Sequence, residues 1–447
     1  MEKTQDLTQG KVLPQILRFY FPMFFTNMLQ QVYNIADTAI VGKGLGDDPL
    51  AAVGNMASLC FLIVGFSVGL ANGFCVPIAH SFGAKDYDQL RKSTASSIKL
   101  SLILTIILTV VSIIYLDDVL ILLQTSPLIM KDSLTYGYII FGGLITTISY
   151  NLCAGILRSL GDSTTPFVAI VISTLTNIAL NCLFIFGFGT GVEGVAIATI
   201  IAQIVSTLIC LHKLIRIPIL KLRFSDFGTD YALYFKLLKN GVPMALMNSI
   251  TAVGCMVVQY FVNGLGVAYT TAYSVCSRYV NLFIQPSCTA GYVMSSFTGQ
   301  NHGAGRFDRI RKGLRVCVGI ALVNYILLGT ACFFLPEFLA GLMVNGSQPI
   351  SLICEFLPPC GVMMIFINLL FVYRSGVQGL GKPLVPMLSG IMEMVMRISV
   401  IWFLLDSFGF VTTAYADIAA WIGALSMNMT AFYVFMHRLS KEHGFGS

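Results

Sequence analysis

Twelve long, mostly apolar stretches succeed one another along this chain, at approximately 14–42, 50–78, 94–116, 132–157, 164–187, 192–212, 235–263, 268–297, 314–335, 350–374, 384–405 and 413–436. Crossing a bilayer takes about 20 such residues in a helix. In lipid the backbone must satisfy its own hydrogen bonds, and these runs lack the two-residue alternation of a barrel strand. The expected fold class is therefore an all-α membrane protein of about 12 transmembrane helices. Composition agrees: of 447 residues 56% are hydrophobic and 11% charged, against roughly 25% charged in a soluble domain. The first run is long and carries Asn27, Gln30, Gln31 and Asn34, so it is expected to stay as a helix and not to be removed as a leader.

The basic residues orient the chain. With an even number of helices both termini lie on one side, and the loops of that side hold 21 Lys and Arg. The opposite loops hold only Lys43 and Lys131. Positive charge stays in the cytoplasm, which predicts cytoplasmic termini and a multi-pass protein of the cell membrane. A basic face over anionic lipid accounts for the net charge of +6 without any nucleic acid. The twelve cysteines, Cys60 to Cys360, include no C-x-x-C pair, so they read as small packing side chains and not as metal ligands or a disulfide framework.

An internal repeat is written into the loops. Gly83-Ala84-Lys85-Asp86-Tyr87-Asp88-Gln89-Leu90-Arg91-Lys92 returns as Gly303-Ala304-Gly305-Arg306-Phe307-Asp308-Arg309-Ile310-Arg311-Lys312, an offset of 303 − 83 = 220. Leu160-Gly161 with Pro166 returns as Leu380-Gly381 with Pro386 at the same offset, and Pro22-Met23 as Pro243-Met244 at 221. Two pseudo-symmetric six-helix bundles follow: an N-lobe at 1–212, a cytoplasmic linker at 213–234 and a C-lobe at 235–447. Parallel repeats of this kind suit two lobes rocking about a central cavity.

Charges inside the membrane are functional candidates because each costs roughly 2.5–3.5 kcal/mol to insert. In the N-lobe, Asp37 stands about five residues from the outer end of the first run, so about 7 Å deep at 1.5 Å per residue. Asn177 and Asn181 share one face of the fifth run, and Thr199 comes to similar depth in the sixth. One carboxylate with neutral oxygens suits a proton or a hard monovalent cation, while interhelical hydrogen bonding is the competing role. The C-lobe has a different set, Arg278, Glu393 and Arg397, expected either to lock that lobe by ion pairing or to take part in substrate or ion movement. Glu193, Glu355 and Asp417 fall near outer helix ends, where solvation or capping is expected. The histidines, His80, His212, His302, His437 and His443, all fall at the cytoplasmic boundary, away from a midplane proton relay. Pro22 removes a backbone donor inside the first run, giving either a hinge or a static kink.

At these residues the sequence resembles the multidrug and toxic compound extrusion (MATE) family. The resemblance rests on Pro22, on the run Gln30-Gln31-Val32-Tyr33-Asn34-Ile35-Ala36-Asp37-Thr38-Ala39-Ile40-Val41-Gly42, and on Leu50-Ala51-Ala52-Val53-Gly54. It continues through Gly83-Ala84, Arg158-Ser159-Leu160-Gly161-Asp162-Ser163 with Pro166, and Gly299-Gln300-Asn301-His302-Gly303-Ala304-Gly305. It covers essentially the whole chain and is nearer the bacterial branch that keeps its ion site in the N-lobe. What it implies is an efflux antiporter for small organic, often cationic, compounds or drugs, with no cofactor beyond a coupling ion, H+ or Na+. Asp37, Asn177, Asn181 and Thr199 would form the coupling-ion site, and the first three would be the ligands were the ion Na+. Position 181 departs from the family's common Asp, which lowers the local negative charge. Protonation-driven bending at Pro22 is also implied by the resemblance.

The nearest competing function is a lipid-linked oligosaccharide flippase of the same superfamily, which Arg278 and Arg397 would serve by making a cationic cavity. An enzyme is not expected: the chain has no H-x-x-x-D, no metal-ligand cluster and no nucleophile set beside a base. A selectivity-filter segment is also missing, which disfavours a channel. A monomer in the lipid bilayer is expected.

Overall fold

In the computed structural model of the chain, residues 6–123, 125–344 and 346–442 are described; among them every regular element is helical. The first half runs α1 (Val12–Leu45), α2 (Asp47–Gly83), α3 (Tyr87–Leu122), α4 (Pro127–Gly142), α5 (Leu144–Ser159), α6 (Thr164–Cys182) and α7 (Val192–Ile215). The second half runs α8 (Tyr231–Leu265), α9 (Val267–Phe283), α10 (Gln285–Gly303), α11 (Phe307–Asn324), α12 (Thr330–Phe334), α13 (Pro336–Met343), α14 (Ser347–Gly379), α15 (Leu384–Phe408) and α16 (Thr412–Glu442). Counting α4–α5, α9–α10 and α11–α12 as one rod each, with the short α13 between rods, gives six rods per half. That is the architecture expected from the apolar runs. His443 and the terminal residues 1–5 and 443–447 lie outside the described residues.

Eight stretches among the described residues are long and apolar enough to cross a membrane by themselves, with Leu384–Glu442 as one of them. The bent pair α4–α5 makes a ninth. α1 and α9–α10 are not among these stretches, and they are where polar residues crowd the sequence: Asp37 on α1, and Gln300, Asn301 and His302 on α10.

The fourth run bends by 45° between α4 and α5. Gly143 sits at that break, where an added Cβ would lie 2.5 Å from Ile200 Cδ1, so the bend brings α5 against α7. The break between α9 and α10 at Ile284 precedes Pro286, which has no N–H to continue the ladder. There Asn324 Nδ2 donates to the carbonyl of Phe283 at 2.9 Å. α1 and α8, by contrast, continue as helices through Pro22 and Pro243.

The chain resolves into two units. One is built on Phe21–Ala245, the other on Leu7–Tyr20 and the chain from Leu246 onward. The 213–234 segment and the opening turns of α8 thus belong with the first unit, and the opening turns of α1 with the second. The first unit has a core around Ile78, Leu90, Ala154, Leu157 and Leu160. Within it the Gly69-x-x-x-Gly73 face of α2 meets the start of α8, where a Cβ on Gly73 would stand 2.4 Å from Gly241 Cα. Such close backbone approach substitutes for the hydrophobic drive that lipid does not supply. The second unit is packed around Trp421, Phe356, Cys276 and Ile353, all 1% exposed or less.

Candidate ion site in the first unit

The outer part of α1 packs on the segment after α6, where five residues, Leu183–Gly187, form a π-helical turn. Gly44 makes this possible, since a Cβ there would lie 2.5 Å from Ile185 Cγ2. Val41, Ile185 and Val195 close a small core between α1, this turn and α7. The result is that α1 presents Asp37 to α6. As α1 extends to Leu45, Asp37 lies eight residues from its end, about 12 Å at 1.5 Å per residue. That is deeper than the apolar run alone suggested.

All four N-lobe candidates come together. Asn181 Nδ2 donates to Asp37 Oδ1 at 2.6 Å and to Asn177 Oδ1 at 2.8 Å. Asn177 Nδ2 lies 3.4 Å from Thr199 Oγ1, and Thr199 in turn donates to the carbonyl of Val195 at 3.0 Å. Both asparagines are fully buried, placed on one face by their four-residue spacing. Asn181 Oδ1 is buried and has no partner. A buried carbonyl oxygen left unpaired costs about 1–3 kcal/mol. Tyr33, one helical turn before Asp37, stands within reach of Thr199 and of the Asp37 carboxylate. It was not among the sequence candidates, although the four-residue spacing from Asp37 was there to read.

The C-lobe charges are paired differently from the sequence expectation. Glu393 bonds Arg374, and its other oxygen lies 3.6 Å from Arg397 Nη1. Arg397 Nε donates to Asp417 Oδ1 at 2.8 Å. The chain Arg374–Glu393–Arg397–Asp417 ties α14, α15 and α16 together with its side chains at most 15% exposed. Two corrections follow. Arg278 is exposed and makes no ion pair among the described residues; its neighbour in sequence, Tyr279, is the one turned inward, to the carbonyl of Leu339 at 2.7 Å. Asp417 is not a solvated helix-end acid, because α16 packs along α15 and turns it onto Arg397. Arg374, at the end of an apolar run, was missed, since nothing local marks it as buried. Glu193 does act at its helix start, accepting from the Gly191 amide at 2.9 Å.

Known proteins share this architecture. A family model described as MatE matches twice, over residues 22–183 and 243–403. The matches begin 243 − 22 = 221 residues apart and end 403 − 183 = 220 apart, the spacing of the sequence repeat. The Bacillus subtilis protein named "Probable multidrug resistance protein YoeA" is 32% identical over 353 residues, 76% of this chain and 75% of that one. "Multidrug export protein MepA" of Staphylococcus saprophyticus is 22% identical over 99% of this chain and 98% of its own. Among solved structures, "Crystal structure of MATE in the bent conformation" superposes with a TM-score of 0.92 over 99% of each chain at 22% identity.

The duplicated family match and the 32% identical relative make this a multi-pass membrane transporter and not an enzyme. The chain belongs to the MatE family, which its duplicated match covers from helix to helix.

Proposed function

We propose that the chain is a secondary active antiporter of the cell membrane, with cytoplasmic termini, exporting small organic, often cationic, compounds in exchange for an entering H+ or Na+. Export of varied compounds is what the names of its relatives describe, multidrug resistance and multidrug export. The observation that carries the ion-coupling half is the orphan Asn181 oxygen beside the Asp37 carboxylate. With Asp37 ionised, the Asn181 amide faces it with N–H. A proton arriving on Asp37 creates a hydroxyl that can donate to that unpaired oxygen, and a bound Na+ would instead be coordinated by it. Either cargo satisfies a group that is otherwise unsatisfied, so the loaded site differs from the empty one by the free energy of that contact. Coupling needs only that this difference be unequal in the two access states, and a typical coupling is about 1–3 kcal/mol.

The flippase reading draws its support from arginines lining a cationic cavity. Of the two arginines it rests on, Arg397 is neutralised by Asp417 and Glu393, as Arg374 is by Glu393. A cationic cavity would rest on the exposed Arg278 alone, which favours the antiporter.

The test is reconstitution in liposomes with a fluorescent organic cation inside, followed under an imposed pH gradient and then under a Na+ gradient. One gradient is expected to drive dye movement in the wild type and neither in Asp37→Asn. Undiminished coupling in the variant overturns the site. No dye movement under either gradient in the wild type overturns the antiport.

A further inference from the structure

Before α1 begins, the chain is gripped by a buried guanidinium. Arg309, near the start of α11 and buried, donates from Nη1 to the carbonyl of Gly10 at 2.7 Å and from Nη2 to that of Leu7 at 3.0 Å. The same Nη2 reaches Gln15 Oε1 at 2.8 Å, and Nε reaches Asn301 Oδ1 at 3.1 Å. Two residues of α10 complete the grip: the Leu7 amide donates to Gln300 Oε1 at 2.9 Å, and Asn301 Nδ2 donates to the Leu7 carbonyl at 3.2 Å. Gly10 turns the strap with φ +82°, a value only glycine adopts freely. Leu7, Ile16 and Phe19 are no more than 1% exposed, and Tyr20 donates to the carbonyl of Pro286 at 3.2 Å. This grip is what places Leu7–Tyr20 in the second unit, while α1 from Phe21 onward, with Asp37, belongs to the first. The change of membership falls one residue before Pro22.

The second half repeats the arrangement by other means. The segment leading into α8 is held within the first unit by Arg91 Nε, 3.7 Å from the buried Asp226, whose Oδ2 also accepts from the Arg223 amide at 2.7 Å. Position 309 − 220 = 89 is Gln89, so the two grips are not a copied motif. α8 then changes membership at Ala245, two residues after Pro243.

We propose that Arg309 with the Leu7–Gly10 strap is an anchor that makes the opening turns of α1 move with the second unit. α1 is one helix from Val12 to Leu45, so the anchored turns and the Asp37-bearing part of α1 are joined through the helix itself, and transport depends on the anchor. The functional half of this inference rests on the transport reading; the anchoring half does not.

Hydrogen exchange on the purified full chain tests the anchor directly. In Arg309→Ala the amides of residues 12–20 should exchange about tenfold faster or more, given the charged hydrogen bonds lost, with the amides of α6 and α7 unchanged. In liposomes the same variant should bind the dye with wild-type affinity yet move it at background rate. Arg306→Ala, an exposed neighbour facing Asp308, should match the wild type in both assays. Unchanged exchange at 12–20, or wild-type dye efflux in Arg309→Ala, overturns the proposal, as does loss of dye binding together with efflux. If the wild type moves no dye under any gradient, the transport reading fails, and the exchange result still decides the anchor.

Discussion

Asn181 gives both amide hydrogens to neighbours, Asp37 Oδ1 at 2.6 Å and Asn177 Oδ1 at 2.8 Å, and leaves its own oxygen buried without a partner. An acid, an amide and an unanswered acceptor on two helices form an arrangement that changes when a cation or a proton arrives. Substitution at this residue therefore separates the two candidate ions.

Asn181→Asp sets a second carboxylate against Asp37. Like charges at this distance disfavour joint ionisation, and a bound cation relieves them. The variant is expected to gain a rise in melting temperature with NaCl that KCl does not reproduce, since a ligand binding only the folded state stabilises it by mass action. An identical response to both salts in variant and wild type would show that position 181 does not set cation affinity.

Glu393 stands between two buried arginines, so Glu393→Gln leaves positive charge without its counterion. Breaking a buried ion pair from one side destabilises by about 3–5 kcal/mol, to be seen as a lower melting temperature in detergent. Removing Arg374 as well, as Arg374→Met with Glu393→Gln, should recover part of that loss. Additive losses would mean the two side chains do not interact.

Gly73→Ala places a methyl group 2.4 Å from Gly241 Cα, against backbone that has no side chain to turn aside. Overpacking of this sort costs about 1–3 kcal/mol. Gly54, with nothing within 4 Å of an added Cβ, is the control: Gly54→Ala should be neutral or stabilising by up to about 1 kcal/mol. Equal melting temperatures for the two variants would refute the close α2–α8 contact.

Asn324→Leu removes the amide that caps the Phe283 carbonyl at the α9–α10 break and bonds Asn368 Oδ1 at 3.0 Å. Three buried acceptors, Ser287 Oγ at 3.2 Å among them, lose their donor, a loss of about 1–3 kcal/mol each where no other donor replaces it. Faster amide exchange confined to residues near 283–287 is the expected signature. Exchange unchanged there would mean that the break holds without its cap.

Much of this was legible before any coordinates. The apolar runs locate the helical rods, and the 220-residue offset between Gly83 and Gly303 reappears as the offset between the two matched segments. The polar set Asp37, Asn177, Asn181 and Thr199 was readable because polar groups in an apolar run are few and helical spacing fixes their faces. The C-lobe network was only half readable. Glu393 and Arg397 are four apart on one helix, but Arg374 and Asp417 reach them from α14 and α16, and Arg278, though it lies within a mostly apolar run, turns outward instead.

The order and membrane character of the helical rods, and their duplication, are written in the apolar runs and the repeated loops. Each helix must satisfy its own backbone in lipid, and that demand is met locally, residue by residue. Which distant groups meet is settled by packing: Asn181 with Asp37 across 144 residues, and Arg309 with the Leu7 carbonyl across 302. The first depends on Gly44, whose missing side chain lets α1 close on Ile185 after α6. Such contacts join residues far apart in the chain, so no local pattern encodes them.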